Sequence, residues 1–175
     1  YLVDISKELD NLVSGAKNGR IIKNGVNVAI IGKPNVGKSS ILNHLLDEEK
    51  AIVTNIPGTT RDIVEGTITL NGVALNFIDT AGIRATDDIV EKIGVDKSKS
   101  VANSADIIIY VLNNNEEISP EELEIMGNLD SEKLIVFVNK SDLEQKINLG
   151  NISREIILGN TVTDNGLDNL LIAIK

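Results

Sequence analysis

The stretch GKPNVGKS at residues 32–39 directly follows the apolar run VNVAII at residues 26–31. It matches the pattern G-x-x-x-x-G-K-S, in which a glycine-rich loop between a strand and a helix turns its backbone N–H groups toward phosphate oxygens. We therefore expect Lys38 to reach the outer phosphates of a nucleotide and the Ser39 hydroxyl to bind Mg²⁺. The residues expected to contact the nucleotide here are Asn35, Val36, Gly37, Lys38, Ser39 and Ser40.

The fold prediction rests on further apolar runs of strand length at residues 63–70, 73–78, 107–112, 134–138 and 156–158. Short aliphatic strands separated by helical stretches are typical of a mainly parallel sheet that is buried on both faces. Asn71-Gly72 between the second and third runs is a strong hairpin signal, so those two strands should be antiparallel neighbours. The prediction is an α/β fold with a mainly parallel six-stranded sheet, one antiparallel hairpin strand and helices on both faces.

Length and composition bound the function further. A chain of 175 residues with 42% hydrophobic residues is sized for one core, and residues 1–24 carry an apolar stripe typical of a lead-in helix. The net charge of -9 disfavours direct nucleic-acid binding, and the absence of cysteine excludes disulfides and zinc-thiolate sites. The apolar runs are far shorter than the roughly 20 residues of a membrane span. We expect a cytoplasmic protein without a membrane partner.

Base selection is predicted from Asn139-Lys140-Ser141-Asp142, which follows the apolar run at residues 134–138. The Asp142 carboxylate can accept two hydrogen bonds from the N1–H and 2-amino group of guanine, whereas adenine lacks that amino group. Asn139 would tie this loop to the phosphate loop, and the Lys140 stem would lie over the base plane. GTP and GDP are therefore the expected ligands. The alternative is that the protein is an ATP-dependent phosphotransferase.

Two polar segments between these motifs are candidates for the magnesium and γ-phosphate contacts. Asp79-Thr80-Ala81-Gly82 follows the run at residues 73–78, so Asp79 is placed to support Mg²⁺ from outside its first coordination shell. The Gly82 N–H is placed to sense the γ-phosphate. Upstream, the hydroxyl of Thr60, or of Thr59, can complete the magnesium shell.

These motifs, in this order, resemble those of the small GTPase family from about residue 26 to the end of the chain. Within it, the loop G-T-T-R-D resembles the translation-factor-related GTPases, and AIVTNIPGTTRD at residues 51–62 and DIVEKIG at residues 88–94 are most similar to the MnmE (TrmE) family of tRNA-modification GTPases. The resemblance implies a Ras-like P-loop fold, with a GTPase domain over residues 25–175 and residues 1–24 belonging to a neighbouring helical domain. The Der family of ribosome-assembly GTPases is the alternative.

The resemblance also implies how hydrolysis works. Ras-type enzymes orient the attacking water with a glutamine directly after the glycine of D-x-x-G, but Ile83 stands there in this chain. The resemblance assigns that catalytic role to Glu91. Because the γ-phosphate would repel a carboxylate in direct contact, Glu91 is expected to act through a second water. A helix cap formed with Asp88, three residues before it, is the alternative role for Glu91.

A potassium ion is the implied source of the positive charge that the transition state needs. The resemblance gives it Asn35 and the backbone carbonyls of Thr54 and Ile56 as ligands. Asn35, as a ligand of this ion, and Lys38, at the outer phosphates, therefore join Glu91 in the predicted catalytic set. Arg61 and Arg84 are alternative sources of this charge. In the family two GTPase domains meet face to face, so a transient homodimer is expected.

The same resemblance also bears on the guanine contact and on the partners of the full-length protein. The loop before the last helix reads Asn160-Thr161-Val162 where the family has Ser-Ala-Lys or similar, and a backbone N–H at Asn160 or Thr161 is expected to contact guanine. The full-length protein would act on the wobble uridine of tRNA with an MnmG-type flavoprotein. Neither tRNA nor that flavoprotein is expected to bind this segment strongly.

Overall fold

The computed structural model describes residues 21, 24–47, 64–78, 104–152, 154–163 and 166–174. In this part of the chain one sheet contains the strands β1 (Val26–Ile31), β2 (Val64–Leu70), β3 (Val73–Ile78), β4 (Ile107–Asn113), β5 (Leu134–Asn139) and β6 (Ile156–Leu158). The α-helices of these residues are α1 (Lys38–Asp47), α2 (Pro120–Asn128) and α3 (Leu167–Ile174), and a short 3-10 helix spans Leu149–Asn151.

The strand order is β2-β3-β1-β4-β5-β6. Strand β1 pairs in parallel with β3 and β4, and the pairs β4-β5 and β5-β6 are also parallel. Strand β2 runs antiparallel to β3. The predicted mixed sheet is therefore confirmed.

The β2-β3 connection is the hairpin that the Asn-Gly pair predicts. Asn71 and Gly72 have φ angles of 52° and 83°, and Leu70 pairs with Val73 across the turn. A two-residue turn with both central φ angles positive follows the right-handed twist of the flanking strands. Asparagine and glycine are the residues that adopt such angles at the lowest cost, which explains why this pair stands here.

Both faces of the sheet are covered by helices. Val28 and Ile30 of β1 point to a core that contains residues of α1 and α3, whereas Ala29 and Ile31 point to a core that contains Met126 of α2. Because neighbouring strand residues point to opposite faces, continuous aliphatic runs are needed when both faces are buried. None of the helices in the described segments has the length and hydrophobicity needed to span a bilayer.

The element boundaries agree closely with the predicted ones. β4 and β5 each extend one residue further than the apolar runs predict, because Asn113 and Asn139 pair with each other at the end of the ladder. Of the predicted lead-in helix at residues 1–24, only Ile21 and Asn24 are described, and the Gly25 N–H donates to the Ile21 carbonyl at 2.9 Å. The assignment of residues 1–24 to a separate domain stays a prediction.

The parallel strands bring the predicted motifs to one edge. β1, β4, β5 and β6 point the same way, so the loops that follow their carboxyl ends emerge together at one side of the sheet. Crevices at this edge are where open α/β sheets bind ligands. The phosphate loop follows β1, and the predicted base loop follows β5.

Candidate nucleotide-binding site

The phosphate loop at residues 32–37 is a tight connection between β1 and α1. Gly32 and Gly37 have φ angles of 147° and 102°, and a Cβ on Gly32 would lie 2.4 Å from the Val111 carbonyl oxygen. Glycine is required at both positions, because a side chain would be strained at these φ angles and at Gly32 would collide with β4. The loop delivers the chain to α1, whose first-turn N–H groups have no acceptor within the helix and suit an anion.

Lys38 lies over this loop. Its Nζ donates hydrogen bonds to the carbonyl oxygens of Gly32 at 2.9 Å and of Lys33 at 2.6 Å. Burial lowers the pKa of Lys38, because desolvation disfavours the ammonium form. The ammonium is therefore held at the point where the loop and the start of α1 converge, in a position to meet phosphate oxygens.

An ion pair anchors the beginning of the phosphate loop to α2. The Lys33 Nζ lies 2.8 Å from a carboxylate oxygen of Glu122, whose side chain is only 6% exposed. The same oxygen accepts the Ser119 N–H at 2.8 Å, and Ser119 Oγ accepts the Glu122 N–H at 3.3 Å, which completes a capping box. Burial and then this carboxylate raise the pKa of Tyr110, so that its phenol stays protonated.

The phosphate loop and the base loop are joined by Asn139. The Asn139 Nδ2 donates to the Val36 carbonyl at 2.8 Å, and the residue is 1% exposed. A Cβ on Gly37 would lie 2.2 Å from this Nδ2, so the contact needs a glycine there. The Asn139 Oδ1 is buried without a hydrogen-bond donor among the described residues, and a bound ligand or water can satisfy such an atom.

The base loop at residues 140–143 is a closed turn. The Leu143 N–H donates to the Lys140 carbonyl at 3.0 Å, and Lys140 has a φ angle of 61°, which is uncommon for a residue with a side chain. The Ser141 N–H donates to the Gly159 carbonyl at 3.0 Å. Asp142 is exposed at the tip of this turn, where its carboxylate is available to a ligand.

The loop after β6 borders this turn through the bond from the Ser141 N–H to the Gly159 carbonyl, and it also has internal hydrogen bonds. The Asn160 Oδ1 accepts the N–H groups of Val162 at 3.1 Å and Thr163 at 2.8 Å. The Val162 N–H is thus used within the loop, which leaves the N–H groups of Asn160 and Thr161 as the candidates for a guanine contact. This contact stays a prediction.

Part of the predicted site lies outside the described residues. These predictions concern the potassium ligands, the magnesium and γ-phosphate contacts and the water-orienting carboxylate, at Thr54, Ile56, Thr59, Thr60, Asp79, Gly82 and Glu91. Ser39 is described and is exposed in the first turn of α1, next to Lys38. Within the described ranges, no group of three or more His, Cys, Asp or Glu side chains is arranged to hold a metal ion.

Two features of the site were missed by sequence reasoning. The Lys33–Glu122 ion pair was signalled only by the spacing Ser119-x-x-Glu122, which predicts a capping box but not its ion-pair partner. Asn114, directly after β4, forms hydrogen bonds with the segment that contains the base loop, whereas Asn115 bonds to the Glu144 carbonyl beyond that loop. Three consecutive asparagines directly after an apolar strand were the available signal.

A family model described as "50S ribosome-binding GTPase" matches residues 27–140. The tRNA modification GTPase MnmE of Bacillus pumilus is 44% identical over 176 residues, which cover 98% of this chain and 38% of that protein. The chain thus spans less than half the length of this relative. Two solved structures match 85% of the chain at 28% identity: the G domain of the T. maritima FeoB iron transporter, with a TM-score of 0.57 and 97% of that chain covered, and a point variant of Aquifex aeolicus Era bound to GDP and AlF4⁻, with a TM-score of 0.58 and 55% covered.

Fold, loop geometry and sequence similarity agree. A Lys38 ammonium held over a glycine loop, and an Asn-Lys-x-Asp turn bonded to that loop, are the features that the sequence predicts for a guanine-nucleotide site. The family model matches residues 27–140, which is well over half of the chain and includes the phosphate loop and Asn139. The chain belongs to the family of 50S ribosome-binding GTPases, as the model describes it, and forms a Ras-like P-loop domain that hydrolyses GTP.

Proposed function

We propose that GTP lies with its phosphates over residues 32–40 and its guanine against the turn at residues 140–143. The observation that carries this arrangement is the 2.8 Å hydrogen bond from Asn139 Nδ2 to the Val36 carbonyl, which holds the two loops side by side. One loop presents a cation and helix N–H groups, and the other presents a carboxylate, so their chemistry fits opposite ends of one nucleotide.

Each side chain then has a distinct role. The Lys38 ammonium neutralises charge on the outer phosphates, and the Ser39 hydroxyl binds Mg²⁺ together with Thr60, with Asp79 supporting the ion. Asp142 accepts hydrogen bonds from guanine, and the Lys140 stem covers the base. A backbone N–H of Asn160 or Thr161 donates to the guanine carbonyl.

We further propose that hydrolysis uses K⁺ in place of an arginine. Support comes from Asn35, which is exposed at the tip of the phosphate loop with a φ angle of 62°, and whose amide oxygen is a suitable ligand for a monovalent cation. The carbonyls of Thr54 and Ile56 complete the proposed set. The bound ion supplies positive charge near the transferred phosphate.

Water orientation is assigned to Glu91. Ile83 follows Gly82 in the sequence, and an aliphatic side chain cannot form a hydrogen bond with the attacking water. A carboxylate in direct contact would be repelled by the γ-phosphate, so Glu91 acts through a second water. The proposed face-to-face dimer of two GTPase domains orders the loop that carries the potassium ligands.

Turnover in matched salts tests this part of the proposal. GTP hydrolysis is measured over a hundredfold range of protein concentration in KCl and in NaCl of equal ionic strength. We expect faster turnover only in KCl, rising with protein concentration, and loss of the KCl effect in Asn35→Lys. If turnover depends neither on the cation nor on the protein concentration, the potassium and dimer proposals are contradicted. The assignment of GTP hydrolysis to this domain would not be affected.

For the whole protein we propose a role in modifying the wobble uridine of tRNA, together with an MnmG-type flavoprotein. Such an activity would place it in the cytoplasm. Support comes from the 44% identity to an MnmE tRNA modification GTPase. With a net charge of -9, this segment itself is not the expected tRNA contact.

Mass spectrometry of tRNA tests the cellular role. In the source organism, deletion of the encoding gene should remove the modified wobble uridine, and the wild-type gene should restore it whereas Lys38→Ala should not. An unchanged uridine in the deletion strain would contradict the proposal.

The description of the family model favours a second candidate, a GTP-dependent switch that docks on the ribosome, as in the Der alternative. Co-sedimentation of the whole protein with 50S subunits, dependent on a non-hydrolysable GTP analogue, would favour this candidate. Loss of wobble-uridine modification without such co-sedimentation would favour the tRNA role.

A further inference from the structure

The residue Asn114, directly after β4, uses its backbone N–H, its backbone carbonyl and its side-chain Nδ2 on the segment that contains the base loop. Its N–H donates to the Asn139 carbonyl at 2.9 Å, and its Nδ2 donates to the Leu143 carbonyl at 3.0 Å. Its own carbonyl oxygen accepts the N–H groups of Lys146 at 2.9 Å and Ile147 at 3.1 Å. The residue is 4% exposed, so water does not readily replace these bonds.

These contacts enclose the Asp142 turn. The carbonyls of Asn139 and Leu143 lie on either side of residues 140–142, so Asn114 holds the turn at both ends. The turn is also closed internally by the bond from the Leu143 N–H to the Lys140 carbonyl, and Ser141 binds the Gly159 carbonyl. A short turn fixed at both ends to a buried strand has little freedom to change the direction of its exposed carboxylate.

We propose that Asn114 is a positioning residue for guanine selection, which it supports by fixing the turn that carries Asp142. This inference rests on the proposed contact between Asp142 and guanine. A carboxylate that pairs with two donors of one base must be held to within about 0.5 Å, and loops reach this precision only when other elements support them. The strand end after β4 supplies that support through the Asn114 side chain.

The neighbouring Asn115 is a matched control. Its Nδ2 donates to the Glu144 carbonyl at 2.9 Å, one residue beyond the turn, and this bond is exposed. Replacing either asparagine by alanine removes one amide-to-carbonyl bond to the same segment. Only the Asn114 bond is partly buried and attached to the turn itself.

Affinity measurements with three ligands separate base selection from phosphate binding. Calorimetry of the wild type, Asn114→Ala and Asn115→Ala is performed with GDP, with inosine diphosphate, which lacks the 2-amino group, and with inorganic pyrophosphate, which lacks the base. We expect Asn114→Ala to weaken GDP binding about tenfold and to reduce the preference for GDP over inosine diphosphate, because an unfixed turn loses the bidentate contact. Pyrophosphate binding should change less than twofold, and Asn115→Ala should match the wild type.

The inference is overturned if Asn114→Ala keeps the wild-type preference for GDP over inosine diphosphate. It is also overturned if this variant weakens the binding of all three ligands by the same factor. The same loss of GDP affinity in Asn114→Ala and Asn115→Ala would also overturn it. If the wild type itself does not distinguish GDP from inosine diphosphate, the proposed Asp142 contact fails along with it. This result differs from one in which the wild type prefers GDP but Asn114→Ala keeps that preference, which would overturn only the role of Asn114.

Hydrogen exchange of the wild-type protein gives a second test, which does not depend on whether the variants fold. The N–H groups of Lys146 and Ile147 report on the Asn114 carbonyl. We expect their exchange to slow more with saturating GDP than with saturating pyrophosphate, because only GDP engages the turn that Asn114 holds. Equal exchange with both ligands would mean that GDP does not engage the turn, which would remove the Asp142 contact on which the inference rests and so overturn it.

Discussion

The Asn139 side chain donates to the Val36 carbonyl at 2.8 Å, which links two residues that are 103 positions apart in the chain. This bond makes the phosphate loop and the base loop one unit. Because Asn139 is 1% exposed, water cannot easily take its place, and we expect a change in either loop to affect the other. Phosphate affinity and base selection are therefore expected to depend on each other.

Substitution of Gly37 tests this link. A Cβ there would lie 2.2 Å from Asn139 Nδ2, and the φ angle of 102° is strained for alanine. Gly37→Ala should weaken GDP binding at least tenfold, as measured by calorimetry, and should lower the free energy of unfolding by about 1–3 kcal/mol.

Gly72→Ala is the control for backbone strain alone. Gly72 has a φ angle of 83°, and a Cβ added there would meet no atom within 4 Å, so only the strain is added, in a hairpin outside the phosphate and base loops. It should lower the free energy of unfolding by about 1 kcal/mol and leave GDP affinity unchanged. If both variants bind GDP like the wild type, the coupling of the loops is contradicted.

Removal of the Lys38 ammonium should abolish stabilisation by nucleotide. At a GDP concentration of about 100 times Kd, the wild type should gain about 2.7 kcal/mol, which raises Tm by roughly 5–10 °C for a domain of this size. Lys38→Met should show almost no rise in a thermal shift assay. Lys133→Met, which removes an ammonium bound to the Ala105 carbonyl away from these loops, should keep the full rise.

The pH dependence of unfolding should also report on Lys38. Burial lowers its pKa from the ordinary value of 10.5, so the unfolded chain binds more protons than the folded one between the two pKa values. The free energy of unfolding of the wild type should therefore rise, relative to Lys38→Met, as the pH approaches 10.5. Urea unfolding at several alkaline pH values measures this, and parallel curves for the two proteins would argue against a buried ammonium.

The Lys33–Glu122 ion pair should have unequal single-variant costs. Lys33→Met leaves the carboxylate buried without its cation and should lower the free energy of unfolding by about 2 kcal/mol. Glu122→Gln should cost only about 1 kcal/mol, because glutamine can keep the capping box and the Lys33 ammonium, with a side chain 35% exposed, can turn to water.

A double-mutant cycle by urea unfolding isolates the interaction in this pair. The double variant should be more stable than the sum of the single costs predicts, by about 1 kcal/mol. Lys33→Met combined with Asn128→Ala, at the far end of α2, should be additive. Additivity in both cycles would mean that the ion pair contributes nothing.

Sequence patterns predicted most of the fold, because the signals were local. Asn71-Gly72 marked the hairpin, and continuous aliphatic runs marked strands that both faces of the sheet bury. The tie from Asn139 to the phosphate loop was also expected, since both motifs follow strands that run in parallel. Loops that follow the carboxyl ends of parallel strands lie at the same edge of the sheet.

The supports of the site were not predictable, because they depend on which side chains meet in three dimensions. The Ser119-x-x-Glu122 spacing predicts a helix start, but it does not indicate that the Glu122 carboxylate also binds Lys33. Likewise, the contact from Asn114 to Leu143 joins residues 29 positions apart. Its geometry depends on the register between β4 and β5, which the sequence does not specify.

The most direct test of the central claim, that the phosphate loop and the base loop form one guanine-nucleotide site, is a comparison of GTP and xanthosine triphosphate hydrolysis by the wild type and Asp142→Asn. Xanthine presents a carbonyl where guanine has the 2-amino group, so an amide at position 142 can donate to it whereas a carboxylate cannot. We expect the wild type to prefer GTP and Asp142→Asn to prefer xanthosine triphosphate. An unchanged preference for GTP in Asp142→Asn, with the fold intact, would contradict the account.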